Sequence, residues 1–116
     1  MLRTIKSFKY AWNGLKTVWR EETNFRAEVF AGLCVVVSIF YFNLNLVESS
    51  LIVFAITLVL VSEIINTIVE DICNKIQPEQ DQVIGKIKDM SASFVFLSSL
   101  GALVVGILVF YNHFIY

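Results

Sequence analysis

The stretch Ser49–Ile76 reads SSLIVFAITLVLVSEIINTIVEDICNKI, and its first fourteen residues carry no charge before Glu63 is reached. Fourteen residues fall short of the roughly 20 that a helix needs to cross a bilayer core, so a span here must carry Glu63 with it. No turn signal interrupts Asn66, Glu70 and Asp71, and Pro78 closes the run. The pattern predicts one long helix over about 49–76. Glu63, Asn66 and Glu70 stand at i, i+3 and i+7, which puts them on one stripe of that helix. An ionised carboxyl in mid-span costs about 2.5–3.5 kcal/mol on insertion scales, and such residues face a partner, a cavity or a site. Hydrogen bonding between helices accounts readily for Asn66 and less naturally for two acids.

On the N-terminal side no charge occurs between Glu28 and Glu48, and VFAGLCVVVSIFYFNLNLV (Val29–Val47) predicts a first span over about 27–47. On the other side, Met90–Tyr116 holds no Asp, Glu, Lys or Arg, which predicts a third span over about 89–113, with Tyr111, Phe114 and Tyr116 as an interfacial anchor. The whole sequence of 116 residues is 57% hydrophobic with 16% charged residues, well above the apolar share of water-soluble proteins. Its mean hydropathy is +0.72. The first twenty residues lack the continuous apolar core of a cleavable leader.

All nine Lys and Arg fall in two places: Arg3, Lys6, Lys9, Lys16, Arg20 and Arg26 before the first span, and Lys75, Lys86 and Lys88 between the second and third. By the positive-inside bias both segments are cytosolic, so the C-terminus faces outward. Within residues 4–21, Ile5, Phe8, Trp12, Leu15 and Trp19 recur at steps of three and four and gather on one helical face. This predicts an amphipathic helix on the membrane surface, its cations toward anionic lipid. Packing of that helix on its own bundle would leave the same pattern.

If the second helix enters the outer leaflet near Ser50, Glu63 lies about 20 Å along it and Glu70 about 30 Å, at 1.5 Å per residue. The stripe then runs from the depth of a lipid hydroxyl to the aqueous rim where a soluble nucleotide arrives. Glu21, Glu22 and Glu28 converge on that rim before the first span, as do Lys86, Lys88 and Asp89 before the third. Open carboxylate positions suit Mg²⁺, which keeps several waters while bridging substrate phosphates, and Lys88 could neutralise phosphate charge. Taken singly, Asp89 reads equally well as an N-cap of the third helix and Lys88 as a snorkelling side chain. Cys34 and Cys73 have no metal or redox spacing and read as buried fillers. His113 sits near the outer end of the third helix, away from the acids. No GxxxxGK[ST] loop, GxGxxG turn, or HRD or DFG element is present, so a nucleotide site would be unconventional.

In order and spacing these residues resemble the small prokaryotic diacylglycerol kinases and their relatives the undecaprenol kinases. Glu63-Ile64-Ile65-Asn66-Thr67-Ile68-Val69-Glu70 is similar to the family's second-helix signature, and Lys88-Asp89-Met90 to its K-D-[MIV] motif. Phe8 to Leu15 and Glu22 to Arg26 look like the family's surface helix and its acidic turn into the first span. The resemblance implies an all-α membrane enzyme, a homotrimer with sites shared between neighbouring protomers. It also implies Mg²⁺-dependent transfer of the ATP γ-phosphoryl to a lipid alcohol, without a nucleic-acid partner, at the bacterial inner membrane. Glu63 would then be the general base, Glu22 and Glu70 the metal ligands, and Lys88 a phosphate contact. Asp89 and Asn66 would order the site, and Tyr10 and Glu79 would approach the nucleotide. Glu79-Gln80-Asp81 departs from the Glu-Tyr-His of many diacylglycerol kinases, and Pro78-Glu79 looks like the undecaprenol branch. Glu28 looks like the diacylglycerol branch, to which the reading leans.

Two other classes compete. A small proton-coupled transporter would use Glu63 as its proton site, against which stand the three spans and the cationic cytosolic loop. A non-catalytic assembly subunit would explain Ser91, Ser93, Ser98, Ser99, Gly101, Ala102 and Gly106, whose small side chains let helices approach closely.

Overall fold

A computed structural model describes residues 1–116 as four helices: α1 (Leu2–Glu21), α2 (Thr23–Tyr41), α3 (Leu46–Ile76) and α4 (Gln82–Phe114). The last three are long and apolar enough to cross a membrane. At 1.5 Å per residue, the 19 residues of α2 measure about 28 Å and the 31 of α3 about 46 Å.

The helix ends differ from the sequence expectation for reasons of capping. The first span, expected to run to residue 47, stops at Tyr41, because Asn43 takes a left-handed turn (φ 54°) and Asn45 starts the next helix. There the Asn45 side chain accepts from the Glu48 N–H at 2.8 Å and the Glu48 carboxylate accepts from the Asn45 N–H at 3.1 Å. This reciprocal capping box draws Glu48 into the first turn of α3 instead of the connection. Absence of charge could not reveal the break, because Phe42-Asn43-Leu44-Asn45 is uncharged. The third long helix likewise begins before residue 89. Asp81, not Asp89, is its N-cap, accepting from the Ile84 N–H at 3.0 Å. Lys86, Lys88 and Asp89 therefore sit on α4 itself.

Helices α3 and α4 lie antiparallel, and contacts near both ends fix their register. His113 Nδ1 is 3.3 Å from Glu48 Oε1 at one end, and the Lys88 ammonium donates to Asn74 Oδ1 at the other. Helix α2 crosses α3 at Gly32, where a Cβ would fall 2.9 Å from Ile56 Cγ2, so a side chain there would push the helices apart. Helix α1 buries none of its own residues and joins the bundle through its last turn, where the Trp19 and Phe30 rings lie 5.9 Å apart.

We call the end of the bundle next to α1 proximal and the opposite end distal. The apolar core is distal: Ile39, Leu44, Ile52 and Val109, flanked by Phe42 and Phe110. Phe42 also meets Phe114 edge-on at 4.9 Å. Only 14 of the 116 residues are buried, and most large apolar side chains, such as Phe54 and Leu103, point outward. A protein stable in water hides such groups, whereas lipid or a second subunit removes the need. Cys34 shares this outward face, contrary to its reading as a filler, while Cys73 is buried. Helix periodicity, not residue type, decides which of the two is covered.

Candidate active site at the proximal end

The proximal half of α3 carries the buried polar residues. Glu63 is 3% exposed and Asn66 9%, with Ser62 and Thr67 buried beside them and Ser91 buried on α4. Glu22 and Glu70 lie close enough to Glu63 for their charges to act on it, and Glu63 acts in turn on Glu28. Carboxylates from the α1–α2 junction, from α2 and from α3 thus gather at one level of the bundle. The Asn66 amide donates to Glu70 Oε1 at 3.1 Å, holding two members of the stripe together.

No Lys or Arg forms an ion pair with this group, the molecule's one acid–base pair being His113 with Glu48 at the distal end. Nor do any three acidic, histidine or cysteine groups of the single chain come close enough together to hold a metal ion. An uncompensated acidic cluster of this open kind has the donor chemistry for a hard cation that keeps water and phosphate oxygens among its ligands.

Glu22 owes its place to the backbone. It is the single residue between α1 and α2 and takes an extended conformation (φ −113°, ψ 108°), which ends one helix and begins the next. Four buried polar atoms find no partner within the chain: Glu28 Oε2, Asn66 Oδ1, Thr67 Oγ1 and Ser91 Oγ. Buried polar atoms are nearly always paired. All four belong to proximal segments, so this end of the interior has unfilled bonding capacity for substrate or water.

Of the residues singled out from sequence, Glu22, Glu63, Asn66 and Glu70 come together. Lys88 lies on the α3–α4 seam, held by Asn74, one turn beyond Glu70. It also borders an open concavity of about 530 Å³ at the α3–α4 turn, shared with Glu79 and Asp81. Tyr10, Glu79 and Asp89 are exposed and make no hydrogen bond or ion pair with the cluster within one chain. Sequence reasoning placed Glu28 only among the acids of the rim and gave no part in the site to Thr67 and Ser91, which are buried, or to Asn74, which is exposed beside Lys88. The signal for Asn74 was present, since it continues the stripe four residues past Glu70, and Ser91 follows Lys88 by one turn on the same face.

A family model described as prokaryotic diacylglycerol kinase matches residues 9–110. The chain belongs to the prokaryotic diacylglycerol kinase family. A diacylglycerol kinase of Escherichia coli strain K12 is 30% identical over 112 residues, covering 97% of this chain and 92% of that protein. One from Haemophilus influenzae is 32% identical over 94 residues, covering 81% and 80%. A third, from Synechocystis, is 29% identical over 101 residues, covering 86% of this chain and 58% of that longer protein. The protein is therefore a lipid kinase of this family, with three apolar helices to hold it in a membrane and ATP as its co-substrate. Within the kinase, the family match takes in the whole acidic stripe, the Glu22 junction and the Lys88 seam.

Proposed function

We propose that this kinase transfers the γ-phosphoryl of ATP to the hydroxyl of diacylglycerol, with Mg²⁺, at the cytosolic face of a bacterial inner membrane. The observation that carries the reading is Glu63, a buried carboxylate at the polar end of an apolar helix, facing Glu22, Glu28 and Glu70 with no cation opposite. Glu63 stands seventeen positions past the start of α3, about 25 Å along a hydrocarbon core of about 30 Å, which suits the depth of a lipid hydroxyl.

Phosphoryl transfer asks an enzyme mainly for positioning and charge neutralisation. Glu63 accepts the proton of the lipid hydroxyl as that oxygen attacks the γ-phosphorus and the bond to the β,γ-bridging oxygen breaks, releasing ADP. Glu22 and Glu70 would hold the metal, with the Asn66 amide fixing the Glu70 carboxylate through its hydrogen bond. The bound Mg²⁺ supplies positive charge to the phosphate oxygens. Lys88 adds a second cation beside the transferred group, Asp89 orders it, and Tyr10 and Glu79 contact the nucleotide. Those three exposed residues meet the cluster in a homotrimer, where a neighbour's α1, α3–α4 turn and α4 complete the site; the many outward-facing apolar side chains on α2, α3 and α4 leave room for such contacts. The Lys and Arg distribution supports a cytosolic proximal end and an external C-terminus. Helix α1, with Trp12 63% exposed and its cations on other faces, lies on the headgroups.

The test is phosphorylation in mixed micelles with labelled ATP and Mg²⁺, offering diacylglycerol and a polyprenol alcohol side by side. Label on diacylglycerol, lost in Glu63→Gln, is expected. Label on the polyprenol alone would assign the undecaprenol branch, toward which Pro78-Glu79 leans. Label on neither, in folded protein, would sink the reading.

A further inference from the structure

Arg26 occupies a place that its own helix disfavours. It lies in the opening turns of α2, where the helix dipole is positive, and no acidic residue accompanies it in the first turn. Although Glu21, Glu22 and Glu28 are close in sequence, it forms no ion pair with any of them. Its guanidinium turns back along the chain instead. One nitrogen, Nη1, donates to the carbonyl oxygens of Trp19 at 2.7 Å and Arg20 at 3.0 Å. The other, Nη2, donates to Thr23 Oγ1 at 3.2 Å. The last carbonyls of a helix lack partners and carry its negative dipole end, so a forked cation satisfies both needs at once.

The segment straddled by this fork contains the single extended residue, Glu22. Its N–H donates to the Val18 carbonyl at 2.8 Å, and its own carbonyl accepts from the Arg26 N–H at 3.3 Å. Every hydrogen bond that ties α1 to the opening of α2 thus passes through Glu22 or over it. The remaining link is the Trp19–Phe30 ring contact. Without the fork, α1 would pivot at Glu22, and the carboxylate that faces Glu63 would turn with it.

We infer that Arg26 is a positioning residue, a clamp on the end of α1 that fixes Glu22 in the direction from which its carboxylate serves the acidic cluster. The inference rests on the proposed role of Glu22 in holding the divalent cation. It assigns to Arg26 no contact with substrate.

The test uses the full chain in micelles without nucleotide and reads Mn²⁺ binding by electron paramagnetic resonance, alongside the Mg²⁺ dependence and lipid KM of phosphoryl transfer. Loss of a contact that orients a metal ligand typically weakens metal binding by about 10–100-fold, and Arg26→Gln is expected to fall in that range with lipid KM unchanged. Arg26→Lys, which keeps the charge and loses the fork, is expected between Gln and wild type. Bromine quenching by brominated lipids of Trp12 and Trp19 fluorescence is expected to change in Arg26→Gln as α1 leaves its fixed angle. Wild-type Mn²⁺ affinity in Arg26→Gln would overturn the inference. If Arg26→Gln does not fold, wild-type affinity in Arg26→Lys overturns it equally. A wild-type chain that transfers phosphate yet binds no divalent cation would overturn the metal role of Glu22, and the function of the clamp with it.

Discussion

At the distal end, Glu48 accepts from the Asn45 N–H at 3.1 Å and stands 3.3 Å from His113, while Ile39, Leu44, Ile52 and Val109 close the space around α3. At the proximal end of the same helix, Glu63 faces other carboxylates, and Asn66, Thr67 and Ser91 each keep a buried polar atom without a partner. Both ends bury a glutamate in an apolar helix, so burial of an acid is no mark of function by itself. The distal acid has its bonds supplied by the chain, which makes it part of the framework. Of the proximal acids only Glu70 receives a side-chain hydrogen bond, from Asn66; Glu63 receives none, and Glu28 keeps a buried oxygen without a partner. An acid buried among other groups that also lack partners points to chemistry more securely than depth in the membrane does.

The largest test of this contrast is Glu63→Gln, which keeps the volume and removes the proposed base. Transfer is expected to fall by about 10²–10⁴-fold with the helical content unchanged, read by labelled-lipid formation and circular dichroism. A variant that kept wild-type turnover would break the comparison at its centre. Glu70→Gln sharpens it: the Mg²⁺ concentration for half-maximal rate should rise by at least the roughly 10–100-fold seen when a metal ligand loses its support. No change in that titration would remove Glu70 from the metal. At the distal end, Ile52→Ala opens the apolar core and is expected to lower stability by about 2–5 kcal/mol, while turnover per folded molecule holds. Smallest is Glu48→Gln, which should lower the thermal midpoint and leave both turnover and Mg²⁺ dependence alone. If turnover fell with it, the division between framework and site would fail.

The sequence made the long helices legible because uncharged runs and the Glu63 stripe are strong signals, and Glu63, Asn66 and Glu70 were found on spacing alone. The ends of the helices were less so. Phe42-Asn43-Leu44-Asn45 turns by a left-handed asparagine and a capping box, neither of which hydropathy registers, and Asp81 outcompeted Asp89 as the cap of α4 because it comes first. The role of His113 in closing the distal end was invisible, since its partner Glu48 is 65 residues away. Thr67 and Ser91 read as ordinary small helix residues, and only the register of α3 on α4 makes their lack of partners apparent.

Helix α2 adds a consequence through its length. Its 19 residues reach about 28 Å, slightly less than an average hydrocarbon core, whereas α3 and α4 overshoot. The short helix is therefore the one that registers bilayer thickness. A thicker bilayer pulls its start, and Glu22 with it, down toward the lipid, while the long α3 answers by standing more upright. Hydrophobic mismatch thus shears Glu22 against Glu63, and vesicles of graded acyl length would show phosphoryl transfer peaking where the two helices agree on where the membrane ends.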